Sequence, residues 1–325
     1  MHTPEVLEEN VTLFLEKNKF DLYIVNPYTR QFLSSEDKYV IVERAIYDEL
    51  PTLMALLSGK NQRILAFGAG SVLDPAKYLA KMAESHLTVI PSALSVNSFA
   101  THRSSFLKDG SKVSVETVAP DTVVLDYNMI KTAGILNVFG LMELAATATA
   151  QIDWSLAIKN GFENDSPEVR LRSVELLKKT IKLLTNHTDT NENLKEVFAS
   201  LLESGLLTQL YGNGRPVSGS EHIISAYVEN AFPCAHGAGL YQGILIAASL
   251  QEWAGYSSAE LRSTVEQLRT MKEIRDYIMS SFNKSDLIAL LPTIKPRSDK
   301  YGILDIVPSS QKERLGTEVY DAIFE

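Results

Sequence analysis

Three side chains stand out for what they could do together: Glu143, His222 and His236. Glu143 is the only acidic or basic residue in positions 132–151. Burying it ionised and alone would cost several kcal/mol or shift its pKa. Facing solvent, pairing with a distant cation or holding a proton would each relieve that cost. His222 ends a Ser-Gly-Ser-Glu-His stretch and enters the apolar run 223–227, and His236 stands before Gly237 and an almost charge-free segment. Singly, a histidine on an apolar face is more often a hydrogen-bonded core residue than a ligand. Jointly, one carboxylate and two neutral imidazoles suit Zn²⁺ or Fe²⁺ and leave coordination positions open for a substrate oxygen. Cys234, two residues before His236, reads as buried filler rather than a fourth ligand.

A second constellation lies at residues 67–77, FGAGSVLDPAK. A buried strand, a glycine-rich turn and a helix follow one another there. Gly68 and Gly70 permit close backbone approach, and the helix start points free N–H groups outward. Leu73 stands where a G-x-G-x-x-G fingerprint needs its third glycine, and the turn is no G-x-x-x-x-G-K-[ST] loop either. An anion-binding turn and a plain strand–helix connection both remain open on these residues.

The stretch resembles the GGGS-x-x-D-x-x-K motif of the iron-containing alcohol dehydrogenase and glycerol-1-phosphate dehydrogenase superfamily. Gly68, Gly70, Ser71, Asp74 and Lys77 match, with Ala69 in place of the middle glycine. Residues 90–106 (IPSALSVNSFATHRSSF) are similar to the segment that follows in that family, with Pro91, Ser95 and Arg103 in register. Residues 119–126 (APDTVVLD), 214–222 (GRPVSGSEH) and 235–243 (AHGAGLYQG) complete five ordered blocks between about 60 and 245. The resemblance implies NAD or NADP on the turn, held by Gly68, Gly70, Ser71, Asp74 and Ser92. It implies a metal held by Glu143, His222 and His236, the first counted back from Asp153-Trp154. It implies Asn97 and Arg103 on the substrate side, with Arg103 meeting a phosphate or carboxylate. Glutamate as first ligand resembles the dehydroquinate synthase branch, whereas the motifs resemble the glycerol-1-phosphate dehydrogenase branch. The chain departs from the family pattern at Asn97, where an aspartate is common, at Ala226, where a second histidine often stands, and at Ala146, a lysine in the synthases.

Positioning these groups takes two kinds of architecture. Residues 21–26, 39–42, 63–67, 87–91 and 122–125 read as strands, with helices over 44–57 and 72–84. Alternation of this kind implies parallel crossovers. After about 132 the strand signals stop, and helices are expected over 134–159, 168–184, 193–210, 238–251 and 258–282. Ser166 and Pro167 read as cap and first helical residue, and Ser257 with Glu260 as a capping box. The expected fold is an α/β N-terminal domain with a parallel sheet, residues 1–130, plus an all-helical C-terminal domain, 131–325, like dehydroquinate synthase. The segment before Gly68 leaves room for two strands and a helix, short for a full nucleotide-binding half.

Composition narrows the function. The chain has 325 residues, a net charge of −9, 45% hydrophobic and 22% charged residues, and one cysteine. No basic face for nucleic acid is expected, and no disulfide framework can form. The N-terminus lacks an apolar signal core, so a cytoplasmic protein is expected. Residues 132–151 are apolar enough to need a check against a membrane span; Glu143 in their middle favours a buried helix. Three functions are expected in order. The first is a metal-dependent, NAD(P)-linked oxidoreductase acting on a small polyol or polyol phosphate. The second is a cyclase or lyase using transient oxidation, and the third a ligand-binding accessory protein. Self-association into a homo-oligomer stays open.

Overall fold

A computed structural model of the chain describes residues 2–109, 111–188 and 190–325. In chain order the elements begin β1 (Glu5–Glu8), α1 (Val11–Lys17), β2 (Leu22–Val25), β3 (Tyr39–Ile41), α2 (Leu50–Met54), β4 (Arg63–Gly68), α3 (Gly70–Met82) and β5 (His86–Pro91). A hairpin, β6 (Arg103–Lys108) and β7 (Ser111–Glu116), precedes β8 (Thr122–Leu125) and α4 (Tyr127–Lys131). The rest is helical: α5 (Ile135–Ala145), α6 (Thr147–Lys159), α7 (Pro167–Thr185), α8 (Asn191–Tyr211), α9 (Ser220–Ala231) and α10 (His236–Trp253). Then follow α11 (Ala259–Thr270), α12 (Lys272–Ser281), α13 (Lys284–Leu290), α14 (Ile303–Ile306) and α15 (Ser309–Phe324).

The chain divides into two compact units, Met1–Asn137 with Asp189–Gln209, and Val138–Thr188 with Leu210–Glu325. The first unit therefore takes back most of α8, a helix that the sequence reading placed with the C-terminal domain. Phe198 of α8 stacks on Phe99 at 5.1 Å, and a Cβ on Gly205 would lie 2.5 Å from that of Ala100. These contacts tie α8 to the segment after β5.

The first unit is built on a six-stranded parallel sheet in the order β1-β8-β5-β4-β2-β3. Burial explains the order. β2 and β8 are buried throughout, and β4 and β5 along all but their first residue. Apolar on both faces, they take the interior of a parallel sheet. β1 and β3 are short and largely exposed, and they form the edges. The sheet is thus wider than the short N-terminal segment suggested, because β1 joins β8 at the far edge.

Two helix expectations change. Instead of a helix over 44–57 there is a 3₁₀ turn at Tyr47–Glu49 and then α2, with Pro51 in its first turn. Proline is accommodated there but not deeper in a helix, so the helix cannot start earlier. The expected 258–282 helix is two, broken at Met271, whose ψ of 81° is not helical. The cap of α11 is Ser258, whose side chain accepts from Leu261 N, rather than Ser257.

The second unit packs around α10, buried from Gly237 to Ala248 and again at Leu250 and Gln251. A helix apolar all round belongs in a core. The stretch Ile135–Lys159 is long and apolar enough to cross a membrane, yet 78% of its span window is buried inside the protein. It is a core helix, nearly continuous through α5 and α6. Gly134, at φ 54°, supplies the left-handed turn that redirects the chain from α4 into α5.

Candidate metal centre

Three helices of the second unit each contribute one of the predicted ligands. Glu143 lies in α5, His222 in the first turn of α9, and His236 opens α10. Glycines make the convergence feasible. Any side chain on Gly237 would collide with Phe139 of α5. One on Gly239 would lie 2.6 Å from Ser225 Oγ of α9, and one on Gly243 would run into the carbonyl of Glu221. The AHGAGLYQG block therefore works by letting α10 press against both α5 and α9.

The ligand atoms of Glu143, His222 and His236 all lie within 4.8 Å of one another. Glu143 Oε2 is 3.6 Å from His222 Nε2 and 3.4 Å from His236 Nε2. That oxygen is buried and has no hydrogen-bond partner. These separations are long for N–H···O bonds. They match the spacing of about 3.4 Å between neighbouring tetrahedral ligands that each sit at about 2.0–2.2 Å from one ion. The donor set fits a divalent metal. Burial pushes the Glu143 carboxyl up, but the two imidazoles beside it outweigh burial and hold it well below the usual carboxylate range.

Behind each imidazole stands a carboxylate. His222 Nδ1 is 2.7 Å from Glu221 Oε1, and His236 Nδ1 is 2.7 Å from Glu229 Oε1. A carboxylate accepting from Nδ1–H fixes the tautomer that leaves an Nε2 lone pair facing Glu143. Glu221 is fully buried and also accepts from Gly219 N at 2.5 Å and Thr149 Oγ1 at 2.7 Å. Burial raises its pKa, but His222, Lys300 and the Gly219 N–H together bring it below the ordinary value. Glu229 also accepts from Ser225 Oγ at 2.7 Å.

Asp153 holds the start of α9 in place. Its Oδ2 accepts from Ser220 N at 2.6 Å, and its Oδ1 from Gln251 Nε2 and Ile303 N, both at 3.0 Å. Lys300 donates to Ser218 Oγ at 2.5 Å, and burial lowers its pKa to about 8. None of Glu221, Glu229, Asp153 or Lys300 was singled out as a site residue from sequence. The four-residue spacing of Glu221, Ser225 and Glu229, one face of a helix, is the signal that could have found two of them.

The nucleotide residues sit in the first unit. β4 ends at Gly68, Thr29 Oγ1 donates to Phe67 O at 2.6 Å, and Ser92 N donates to Gly68 O at 2.9 Å. Ala69, Gly70, Ser71 and Ser92 are half-buried, and α3 starts without a side-chain cap. The turn lies at the C-terminal end of β4, where the strand order reverses, the place where open parallel sheets receive ligands. A Cβ on Gly68 would meet Val72 at 2.6 Å, and one on Gly70 would meet Val96 at 3.2 Å.

Asp74 takes a different place from the one expected. Its carboxylate accepts from Ser98 Oγ at 2.6 Å and Ser105 N at 3.2 Å, and lies 3.3 Å from Lys77 Nζ. Lys77 is completely buried and donates to Ser98 O, Ser98 Oγ and Arg103 O. The pair anchors residues 98–105 to α3 instead of facing the turn. Arg103 donates to Ser114 Oγ and O in the hairpin, and Asn97 Nδ2 to Ser204 Oγ at 3.0 Å. Both side chains are engaged inside the first unit. Cys234 is half-buried and lies outside the metal cluster.

Known proteins similar to this chain are dehydrogenases. The family model described as iron-containing alcohol dehydrogenase matches residues 7–134. A glycerol-1-phosphate dehydrogenase [NAD(P)+] from Methanosphaera stadtmanae is 29% identical over 257 residues, 76% of this chain and 71% of that protein. One of the same name from Thermococcus sibiricus is 24% identical over 274 residues, 82% and 76% of the two chains. The crystal structure of an iron-containing alcohol dehydrogenase from Thermotoga maritima superposes with a TM-score of 0.69 at 13% identity, covering 99% of both chains. Family model and relatives point the same way: the chain is similar to iron-containing alcohol dehydrogenases over residues 7–134 and to glycerol-1-phosphate dehydrogenases over most of its length, and it shares the fold of the solved alcohol dehydrogenase.

Proposed function

We propose that this chain is a metal-dependent, NAD(P)-linked dehydrogenase of a small polyol phosphate, of the kind named in its glycerol-1-phosphate dehydrogenase relatives. The observation that carries it is the orphaned, buried Glu143 Oε2 facing two imidazoles whose Nδ1 atoms are each held by a carboxylate. Glu143, His222 and His236 would hold Zn²⁺ or Fe²⁺, and the first unit, at Gly68, Gly70, Ser71 and Ser92, would take the dinucleotide diphosphate. A divalent ion there supplies Lewis-acid polarisation of a substrate oxygen, and a nicotinamide supplies the hydride acceptor. The protein's own part is orientation. Glu221 and Glu229 keep both Nε2 lone pairs available, and Asp153 keeps the start of α9 in register. The free N–H groups at the start of α3 offer themselves to an anion. The single cysteine suits an enzyme of the reducing cytoplasm.

The test is direct. Metal content is measured on purified protein, and reduced nicotinamide is followed by absorbance with glycerol 1-phosphate and NAD⁺ or NADP⁺. Net accumulation of reduced cofactor, abolished by a chelator and restored by Zn²⁺ or Fe²⁺, is the expected result. Metal-loaded protein that binds neither NAD(H) nor NADP(H) would overturn the reading. Turnover of a sugar phosphate without net reduction would instead establish transient oxidation.

A further inference from the structure

On the side of α10 turned away from His236, a cavity of about 300 Å³ is open to solvent. Tyr241, Leu245 and Ser249 line it from α10 at four-residue spacing, with Arg269 at the end of α11 and Arg275 in α12. Val319, Ala322 and Ile323 of α15 give it an apolar wall.

Its polar groups share an imbalance: they are donors without acceptors. Arg275 Nε is buried and has no hydrogen-bond partner. No carboxylate among the described residues pairs with Arg275 or Arg269, and the hydroxyls of Tyr241 and Ser249 bond to no other described residue. The one carboxylate on the wall, Glu318, is engaged by Arg314 at 2.6 Å. Burial raises the Tyr241 phenol to about 12 despite the two arginines, so it stays a neutral donor at physiological pH. A buried guanidinium N–H without an acceptor is costly, and each such group in a folded protein calls for a partner. Two guanidiniums and two hydroxyls converging on one space ask for an acceptor rich in negative oxygen.

We propose that this cavity binds a small amphipathic oxyanion, a carboxylate or phosphate group carried on a short apolar body. The head group lies against Arg275, Arg269 and the Tyr241 hydroxyl, and the body against Leu245, Val319 and Ile323. The site is separate from the metal centre, although α10 carries residues of both.

Calorimetry in chloride-free buffer, with inorganic phosphate and with butyrate as probes, tests it on wild type, Arg275→Gln and Tyr241→Phe. Thermal melts confirm that each variant is folded, and Tyr241→Phe carries the test if Arg275→Gln is not. Wild type is expected to bind at least one probe, with affinity about tenfold or more weaker in Arg275→Gln and a few-fold weaker in Tyr241→Phe. Preference for butyrate identifies a carboxylate head and preference for phosphate a phosphate head; either supports the site. Each titration is repeated on chelator-stripped protein. Binding that vanishes on stripping but survives Arg275→Gln would place the anion at the metal centre and overturn the proposal. No binding of either probe would overturn it too. Because the metal-stripped arm must retain binding, failure here leaves the dehydrogenase reading intact.

Discussion

The two units prepare their candidate sites by opposite means. In the first, the candidate ligand surface is backbone: the Gly68–Ser71 turn at the end of β4, held by sheet register and by the bonds of Thr29 and Ser92 to the end of that strand. In the second it is side chain: one carboxylate and two imidazoles from three helices, each imidazole braced from behind by a glutamate. A backbone site tolerates any side chain that leaves its space open and fails when a Cβ branch fills it. A side-chain site fails when one functional group is exchanged, even at constant volume.

That contrast can be broken by experiment. The largest effect is expected from His236→Ala, which should empty the metal centre. Elemental analysis should show metal lost, and activity should fall on the order of a thousandfold, while nucleotide binding measured by fluorescence survives. Concurrent loss of nucleotide binding would show that the two sites are not independent. Next comes Gly70→Val, whose branched side chain meets Val96 and fills the turn. NAD(P)H affinity should drop about a hundredfold, from several kcal/mol of lost contact and overpacking, with metal content unchanged.

Glu229→Gln sharpens the comparison more finely. It keeps volume and one acceptor, so the melting temperature should hold while metal affinity, read by competition with a chelating dye, falls about 10–100-fold. Glu221→Gln should cost affinity and stability together, because Glu221 also binds Gly219 N and Thr149 Oγ1.

The smallest effect is in pH. The folded pKa of Glu221 lies below its unfolded value, so its stabilisation is present above the unfolded pKa and is lost as pH falls through the folded one. Melting temperature of metal-free wild type should therefore decline below about pH 4, and Glu221→Gln should flatten that decline. An unchanged slope would show that Glu221 is not held ionised by its neighbours.

Much of this was readable before any coordinates. The interior strands announced themselves through uninterrupted apolar runs such as Arg63–Gly68, since burial on both faces leaves no room for alternation. The clustering of Glu143, His222 and His236 was expected because a lone carboxylate and two histidines in apolar surroundings need a common partner, and because the family resemblance points to the same three positions. Edge strand β1 was not, since four largely exposed residues, EVLE, carry no such run. The β6–β7 hairpin also escaped, though Asp109-Gly110 between two alternating segments is a recognised turn signal. The resemblance implied ligand roles for Asp74 and Arg103, but which neighbours they meet, Lys77 and Ser98 for Asp74 and Ser114 for Arg103, is not legible in the order of residues.

By itself, then, the sequence determined most element types and the parallel sheet, because periodicity is a local property of the chain, and with the family resemblance it named Glu143, His222 and His236 as candidates for one shared site. Which carboxylate braces which imidazole was decided only in three dimensions. Glu229 serves His236, seven residues away, rather than His222, because α10 folds back against α9 over Gly239 and Gly243. The unpaired donors around Arg275 are likewise a tertiary fact, since α10, α11, α12 and α15 meet there only after the chain has folded. Pairing energy depends on distance and burial, and neither is written in the order of the residues.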